Sequence, residues 1–347
     1  MKIGFLSRWN ATCGVSMHAE LIGKELLRKG HQVKVFAPYK ESANKWWHHR
    51  IVKDDEDFVV RCYYELDPKT MDGGGIDEKK ILDEDLDVLI VESYNSIPYR
   101  DVEGIVKELR REGRSVTLVV HEGAKEDMRY SSLDIFDATF VFDERYVRML
   151  SGYGGNIYVV PYPCHPPSPS KKEFSKNDLI FFSFGRQPPK EYDDFIKALD
   201  DLESKYDFTY RIVRSDGLLP VERKWLVQHQ VRLKDNEEVY DYLHMSDIHL
   251  LPKGNTRKVV VSSTLCQCIG SLVPTVVPNT RHFEMLPDEK PVVIYKDVED
   301  LERKISMIIE DDGYREKLKI AAARYAEENS SSRIADKFLQ VLRKVTV

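Results

Sequence analysis

The chain lacks several features that would each have fixed a class. No apolar run approaches the ~20 residues that cross a bilayer, and the opening MKIGFLSRWN leads straight into a strand-like run without a leader-like apolar segment, so a cytoplasmic location is expected. Cysteine is scarce. The five residues Cys13, Cys62, Cys164, Cys266 and Cys268 are odd in number and form no CxxC pair, which argues against both a disulfide framework and a zinc site. Cys266-Gln267-Cys268 reads as buried thiols. Positive charge is not in surplus: 52 Lys and Arg stand against 58 Asp and Glu, a net charge of −6, so broad attraction to nucleic acid is not expected. Residues 10–14, NATCG, do not make the dinucleotide fingerprint GxGxxG. Ala37-Pro38 ends the second strand where a ribose-binding acid would stand, and no Walker motif occurs. Asp83-Glu84-Asp85 and Asp85-Leu86-Asp87 precede a strand rather than follow one, which is the wrong end for a metal-binding DxD loop. No internal repeat is present.

What remains is a chain of 347 residues, 42% hydrophobic and 32% charged, long enough for two domains. Lys2 to Leu6 is a short apolar strand. A polar loop ends at Gly14, and Val15, Met17, Leu21, Ile22, Leu26 and Leu27 give the next segment helical spacing. Gly30 is placed to end that helix, and Val33 to Ala37 is the next strand. Buried-type strands follow at Asp87 to Val91, Val116 to Val120, Ala138 to Phe142 and Ile157 to Val160, with helical stretches such as Val102 to Arg111 between them. Strands alternating with helices predict a parallel sheet covered on both faces.

A proline-rich stretch interrupts this rhythm, and the reading is a linker over 166–178. The pattern then restarts with LIFFSF, a helix, Tyr210 to Val213, a helix near Glu237 to His244, Ile248 to Leu251, a helical region after Val259, and Thr275 to Val277. Residues 314–347 read as helical with a break near Asn329 to Ser332, and 41–75 as the least regular part. The expected fold is α/β with two tandem Rossmann-like domains. They span 1–165, joined by the C-terminal helix at about 333–347, and 179–330. Ligands of such pairs are expected in the cleft between the domains, at the C-terminal ends of the strands.

FGRQPPKE, residues 184–191, stands where a buried strand turns into a helix. A proline suits a helix start, and Phe195, Ile196, Leu199 and Leu202 give that helix a core stripe. Its N-terminus and the cations Arg186 and Lys190 together suit a diphosphate. The plainer alternative is a surface pair bonded to Glu191, Asp193 or Asp194.

Taken in order, several stretches resemble the GT-B retaining glycosyltransferases of the "glycosyl transferases group 1" type. CGVSMHAELIGKELLRKGHQVKVFAP is similar to the family's glycine loop, first helix and "GHxVxV" strand. TLVVHEG sets His121 after a central strand, and FDATFVFDERYVRMLSGYGGNIYVVPYP matches the passage before the linker. SFGRQPPKEYDDFIKAL resembles "vGRl…KG…lieAl", YDYLHMSDIHLLPKG resembles "ly..aDv.vlPS", and VPTVVPNTRHFEML is similar to "tPVVatd.gg..E.i". The resemblance covers nearly the whole length.

It implies transfer of a sugar from a nucleoside-diphosphate sugar to a glycan, lipid or small-molecule acceptor. Configuration would be retained without a metal, and the leaving phosphate would serve as base. No cofactor is implied, since the nucleotide-sugar is a substrate. Arg186, Lys190 and Gly14 would hold the diphosphate, and His121 would contact the donor sugar as the catalytic residue. Each has a bland counterpart: a tight turn for Gly14 and a satisfied structural imidazole for His121. His18 would line the acceptor side, or pack in the core. Glu284 would face the donor, or cap a helix. Trp46 and Trp47, beside His48, His49 and Arg50, suit an acceptor loop or contact with the inner membrane surface, or form a buried aromatic pair.

One departure is plain. The family often carries two glutamates between its "PS" and "PVV" motifs, and here KGNTRKVVVSSTLCQCIGSLVP has no acid. Ser262, Ser263 and Thr264 would offer hydrogen bonds to the donor sugar or ribose instead, or would simply cap a helix. The departure keeps two other readings open, a GT-B binding or partner subunit without turnover and a nucleotide-sugar epimerase.

Overall fold

A computed structural model of the chain describes residues 1–45, 50–170 and 172–346. The backbone divides into two compact units, Met1–Pro163 with Ser331–Val347, and Cys164–Ser330. The strands are β1 (Lys2–Leu6), β2 (Gln32–Pro38), β3 (Val59–Tyr64), β4 (Gly75–Ile76), β5 (Val88–Ser93), β6 (Ser115–Val120), β7 (Ala138–Val141), β8 (Ile157–Val159), β9 (Leu179–Phe184), β10 (Phe208–Arg214), β11 (Leu226–Gln230), β12 (Ile248–Leu250), β13 (Thr275–Pro278) and β14 (Val293–Tyr295). The α-helices are α1 (Gly14–Arg28), α2 (Lys40–Ala43), α3 (Lys79–Leu82), α4 (Tyr99–Arg111), α5 (Glu144–Met149), α6 (Asp193–Leu202), α7 (Asn236–His244), α8 (Ser263–Cys268), α9 (Val298–Glu310), α10 (Asp312–Glu328) and α11 (Ser331–Val345).

The first unit has a sheet in the order β4-β3-β2-β1-β5-β6-β7-β8, parallel except for the β3–β4 pair. Every residue of β5 and β6 is buried, as expected for central strands covered on both faces. The order reverses between β1 and β5. Two neighbouring strands there send their chains to opposite sides and leave a crevice at their C-terminal ends. Gly23 of α1 lets the helix approach the buried Trp9, whose ring would lie 3.0 Å from an added Cβ. The last helix, α11, belongs to this unit. Phe338 stacks on Phe140 at 4.2 Å, Lys29 pairs with Asp336 at 2.8 Å, and the Ser115 hydroxyl donates to the Val345 carbonyl at 2.6 Å.

The second unit repeats the scheme in an all-parallel sheet ordered β11-β10-β9-β12-β13-β14, with its reversal between β9 and β12. Phe181, Phe195, Leu199, Tyr210, Ile248 and Ile305 belong to its main core. The proline-rich segment is tied down rather than slack. His165 N–H donates to the Cys266 carbonyl at 3.1 Å, Ser168 N–H to the Gly270 carbonyl at 2.7 Å, and the Ser170 hydroxyl to the His244 carbonyl at 2.8 Å. Gly270 is small because a Cβ there would meet the Pro166 carbonyl oxygen at 2.6 Å.

The strands read from apolar runs are present within a residue or two. Those not read are β3, β4, β11 and β14. β3 lies in the stretch expected to be least regular, and its alternation is blurred by Arg61 and Tyr64. β11, LVQHQ, is an edge strand with a polar, largely exposed face. β4 and β14 are only two and three residues long. Edge and very short strands lack the continuous apolar run that marks a central strand.

Candidate functional site

In the first unit the chemistry gathers at the β1/β5 reversal. Glu92 lies on β5, and His121 directly follows β6, whose Val119 stands opposite Glu92. The Glu92 carboxylate has no accessible surface and binds two imidazoles: His121 Nε2 lies 2.6 Å from Oε2 and His18 Nδ1 2.8 Å from Oε1. His18 comes from α1 and is itself fully buried, so it lines no accessible surface; its ring meets His121, Phe142, Tyr162 and Phe338 at 5.3–5.7 Å. Its Nε2 is buried without a hydrogen-bond partner. Burial opposes ionisation of Glu92, but His18 and His121 outweigh it and hold the carboxyl at about 2, below its ordinary 4.5.

His18, Glu92 and His121 are also the one group of three or more His, Cys, Asp or Glu among the described residues whose ligand atoms lie within 4.8 Å of one another. Those atoms are already engaged in hydrogen bonds, and the carboxylate and one imidazole are sealed from solvent. The arrangement therefore reads as a charge relay that orients His121 rather than as a cation cradle. With Nε2–H donated to Glu92, His121 presents Nδ1 as its remaining polar atom. Glu122 turns to the other face, as consecutive residues of an extended chain do. It accepts from the Ser93 hydroxyl at 2.5 Å, and burial raises its pKa despite that bond.

Sequence reasoning did not find Glu92, nor a second buried cluster beyond β1. Arg8 Nε donates to Glu65 at 2.6 Å, Tyr94 donates to the same oxygen at 2.8 Å, and the Arg8 guanidinium lies 4.5 Å over the Tyr94 ring. The available signal was a charged residue inside an apolar strand, VLIVES, and a charged residue two positions after one, FLSR. Gly14 opens α1 with its carbonyl accepting from the Tyr162 hydroxyl at 2.6 Å. Its φ is not positive.

In the second unit three neighbouring strand ends carry cations. Arg214 is the last residue of β10, Arg186 follows β9 by two residues, and Lys253 follows β12 by three. Gly185 has φ +122°, which turns the chain between Phe184 and Arg186 in a way that L side chains rarely adopt. Arg214 is buried over the Tyr192 ring at 5.3 Å and reaches Asp216 at 3.3 Å, while its Nε and Nη1 have no partner. Lys253 is half-buried and makes no hydrogen bond or ion pair among the described residues. Burial lowers its pKa; Glu191 opposes this, and Arg186 adds to the lowering. The Glu191 carboxylate rests against Gly254, where an added Cβ would meet it at 2.4 Å.

Lys190 is exposed and lies in a 3₁₀ turn, Pro189–Tyr192, not in the α-helix. The expected start of an α-helix at the prolines is corrected on this point. α6 begins at Asp193, and its first turn holds Asp193 and Asp194, the second of which accepts from the Tyr295 hydroxyl at 3.2 Å. Ser262 caps α8 by accepting from Leu265 N–H at 3.2 Å, with Ser263 and Thr264 in the first turn. Glu284 is exposed and pairs with Arg281 at 3.4 Å. Trp46 and Trp47 lie outside the described residues.

No protein-family model matches the chain. Among solved structures, it is similar to trehalose-6-phosphate synthase OtsA, with TM-score 0.68, 9% identity and 99% of each chain covered. It is also similar to the pneumococcal O-GlcNAc transferase GtfA in complex with UDP and GlcNAc, with TM-score 0.67, 11% identity and 99% of each chain covered. A third is an alpha-glucosyltransferase in complex with UDP and a 13-mer DNA, with TM-score 0.68, 13% identity and coverage of 99% of this chain and 98% of that one. The chain has the fold of these glycosyltransferases, GT-B, with two Rossmann-like units.

Proposed function

We propose that this protein transfers a sugar from a nucleoside-diphosphate sugar. The observation that carries the reading is the row of Arg214, Arg186 and Lys253 on three adjacent strand ends at the β9/β12 reversal, with Lys190 one turn away. A parallel sheet binds ligands at such a reversal. Cations there offset the charge that develops on a departing diphosphate, which is what glycosyl transfer requires of its leaving group. The three solved structures named above are supporting likenesses, two of them complexes with UDP.

His121 is the candidate substrate-facing group of the first unit. Its ring is fixed by Glu92, whose other oxygen is held by His18. Transfer proceeds with retention and without a metal, the leaving phosphate taking the acceptor's proton. The acceptor is a glycan, lipid or small molecule. Among the described residues no helix is long and apolar enough to cross a membrane.

A nucleotide and nucleotide-sugar thermal-shift screen is the test, because a ligand at 100 times its Kd adds about 2.7 kcal/mol of stability. A shift with a nucleoside diphosphate that disappears in Arg186→Ala/Lys190→Ala supports the donor site, and a shift that survives in that variant rejects it. The acid-free 253–274 segment favours a second reading, a binding subunit without turnover. Nucleotide bound without release of nucleoside diphosphate from any donor, at any acceptor, would select it.

A further inference from the structure

An exposed sheet edge is a row of unpaired main-chain groups, and folded proteins usually keep such edges short or charged. Among the described residues three of the four edges follow that rule: β4 has two residues, and β8 and β14 have three each. The fourth, β11, has five residues, LVQHQ, with Val231 directly after them. Residues 226–231 contain no Asp, Glu, Lys, Arg or Pro, and the register against β10 runs without a bulge. Among the described residues β10 is the one strand that pairs with it.

The open side of β11 has a definite pattern. Tyr210 N–H donates to the Trp225 carbonyl at 2.7 Å, and Tyr210 stands opposite Leu226. In a parallel ladder this turns the main-chain groups of Val227 and His229 toward β10 and those of Gln228 and Gln230 outward. Among the described residues nothing bonds to these outward groups of Gln228 and Gln230. On one face of the strand Val227 is 39% exposed and His229 is exposed, and Val231, next in that alternation, is 46% exposed. Residues 227–231 read VQHQV, the same in both directions about His229.

That palindrome makes the edge complementary to itself, and we propose that two copies of this chain pair antiparallel along β11, about a two-fold axis at His229. Gln228 of each copy meets Gln230 of the other, outward main-chain groups against outward main-chain groups, as a hydrogen-bonded pair. Val227 meets Val231, and His229 meets His229, at the non-hydrogen-bonded sites where side chains come closest. A second copy supplies this complement by symmetry. The strand itself brings no fixed charge to the axis. Its flanks do: Arg223 and Lys224 precede it and Arg232 and Lys234 follow it, with Glu222 and Asp235 beside them, and Arg223 is bonded to Asp200. Antiparallel pairing sets the basic flanks against each other, so the contact is confined to the strand and is favoured when salt screens them. Five residues make a smaller contact than a permanent dimer has, so the association depends on concentration. It is independent of the donor reading above.

The test is sedimentation equilibrium of the full chain at high salt and about pH 8, above the ordinary imidazole range. The mass is expected to rise with protein concentration from 40.3 kDa toward twice that value. His229→Lys sets two ammonium groups face to face and should weaken dimerisation about 5-fold or more, with Tm unchanged because the residue is exposed. A crosslink reads the register. With diamide, which takes up the two thiol hydrogens, His229→Cys should give a disulfide-linked dimer, because residue 229 faces itself at a Cα separation of about 4.5 Å. Gln230→Cys should not, since residue 230 faces Gln228 and its own counterpart lies beyond the roughly 7 Å that a disulfide spans. The native chain, with its five cysteines, sets the background. A monomer at every concentration overturns the proposal. So does a dimer that His229→Lys leaves unchanged, or one that Gln230→Cys links as readily as His229→Cys.

Discussion

Each sheet of this protein has a reversal of strand order, and the two reversals are furnished in opposite ways. In the first unit a single carboxylate is enclosed by two imidazoles, each of its oxygens is bonded, and its surroundings are aromatic. In the second, cations end three adjacent strands, and two of them lack hydrogen-bond partners on some or all of their nitrogens. Both places are equally open to ligands by topology. The first bonds both carboxylate oxygens and holds a ring in place, leaving His18 Nε2 without a partner, while the second leaves Arg214 Nε and Nη1 and the Lys253 ammonium without hydrogen bonds among the described residues. A self-satisfied polar cluster raises stability and fixes geometry; an unsatisfied one spends stability to gain binding.

The comparison can be broken most forcefully at Glu92. Glu92→Ala leaves a buried and a partly buried imidazole N–H without their acceptor and should cost about 3–5 kcal/mol in urea unfolding. A loss under 1 kcal/mol would show that the relay is not the closed unit described.

Acid should find the same weakness. The Glu92 carboxyl lies at about 2 in the folded chain and near 4.5 when unfolded. A depressed folded value means that its contribution is full above pH 4.5 and is lost as pH falls toward 2. The loss is about 3 kcal/mol, read as a drop in Tm across that window in the native chain that Glu92→Gln does not show.

In the second unit the same surgery should leave stability nearly intact and remove binding instead. Arg186→Ala is expected to weaken nucleoside-diphosphate binding by about 1.5–3 kcal/mol, some 10- to 100-fold, with Tm of the free protein little changed. A large drop in Tm with binding preserved would reverse the contrast between the units.

Gly185→Ala should combine the two effects. It forces a side chain onto φ +122°, at a cost of about 2 kcal/mol, and displaces Arg186. Chemical denaturation together with nucleotide titration would read both. The smallest effect belongs to Ser262→Ala. As the N-cap of α8, Ser262 should contribute about 1 kcal/mol to stability. A loss of nucleotide affinity in that variant, with stability unchanged, would return Ser262 to the ligand site.

Much of this was legible in the residues. VLIVES and SVTLVV read as buried parallel strands because both faces must be apolar, and they are central strands here. FGRQPPKE read as a strand-to-helix junction with two cations, and the glycine before Arg186 does take a conformation reserved for glycine. The helix that was to grip the phosphate starts three residues later than Lys190, because Pro189–Tyr192 close a tighter turn first. Local spacing cannot separate a 3₁₀ turn from the first turn of an α-helix when proline opens both.

The sequence alone determined two parallel α/β units, the position of the strand ends, and the acid-free, basic character of 253–274. These follow from period, composition and punctuation, which are local properties of the chain. Tertiary structure decided which polar residues meet. His18, Glu92 and His121 are separated by 74 and 29 residues and join only because α1, β5 and the end of β6 pack at one reversal. Arg214, Arg186 and Lys253 become neighbours only through the strand order β10-β9-β12. Hydrogen bonds and charge pairs act over a few ångströms of space, and sequence distance carries no record of that space until the sheets have formed.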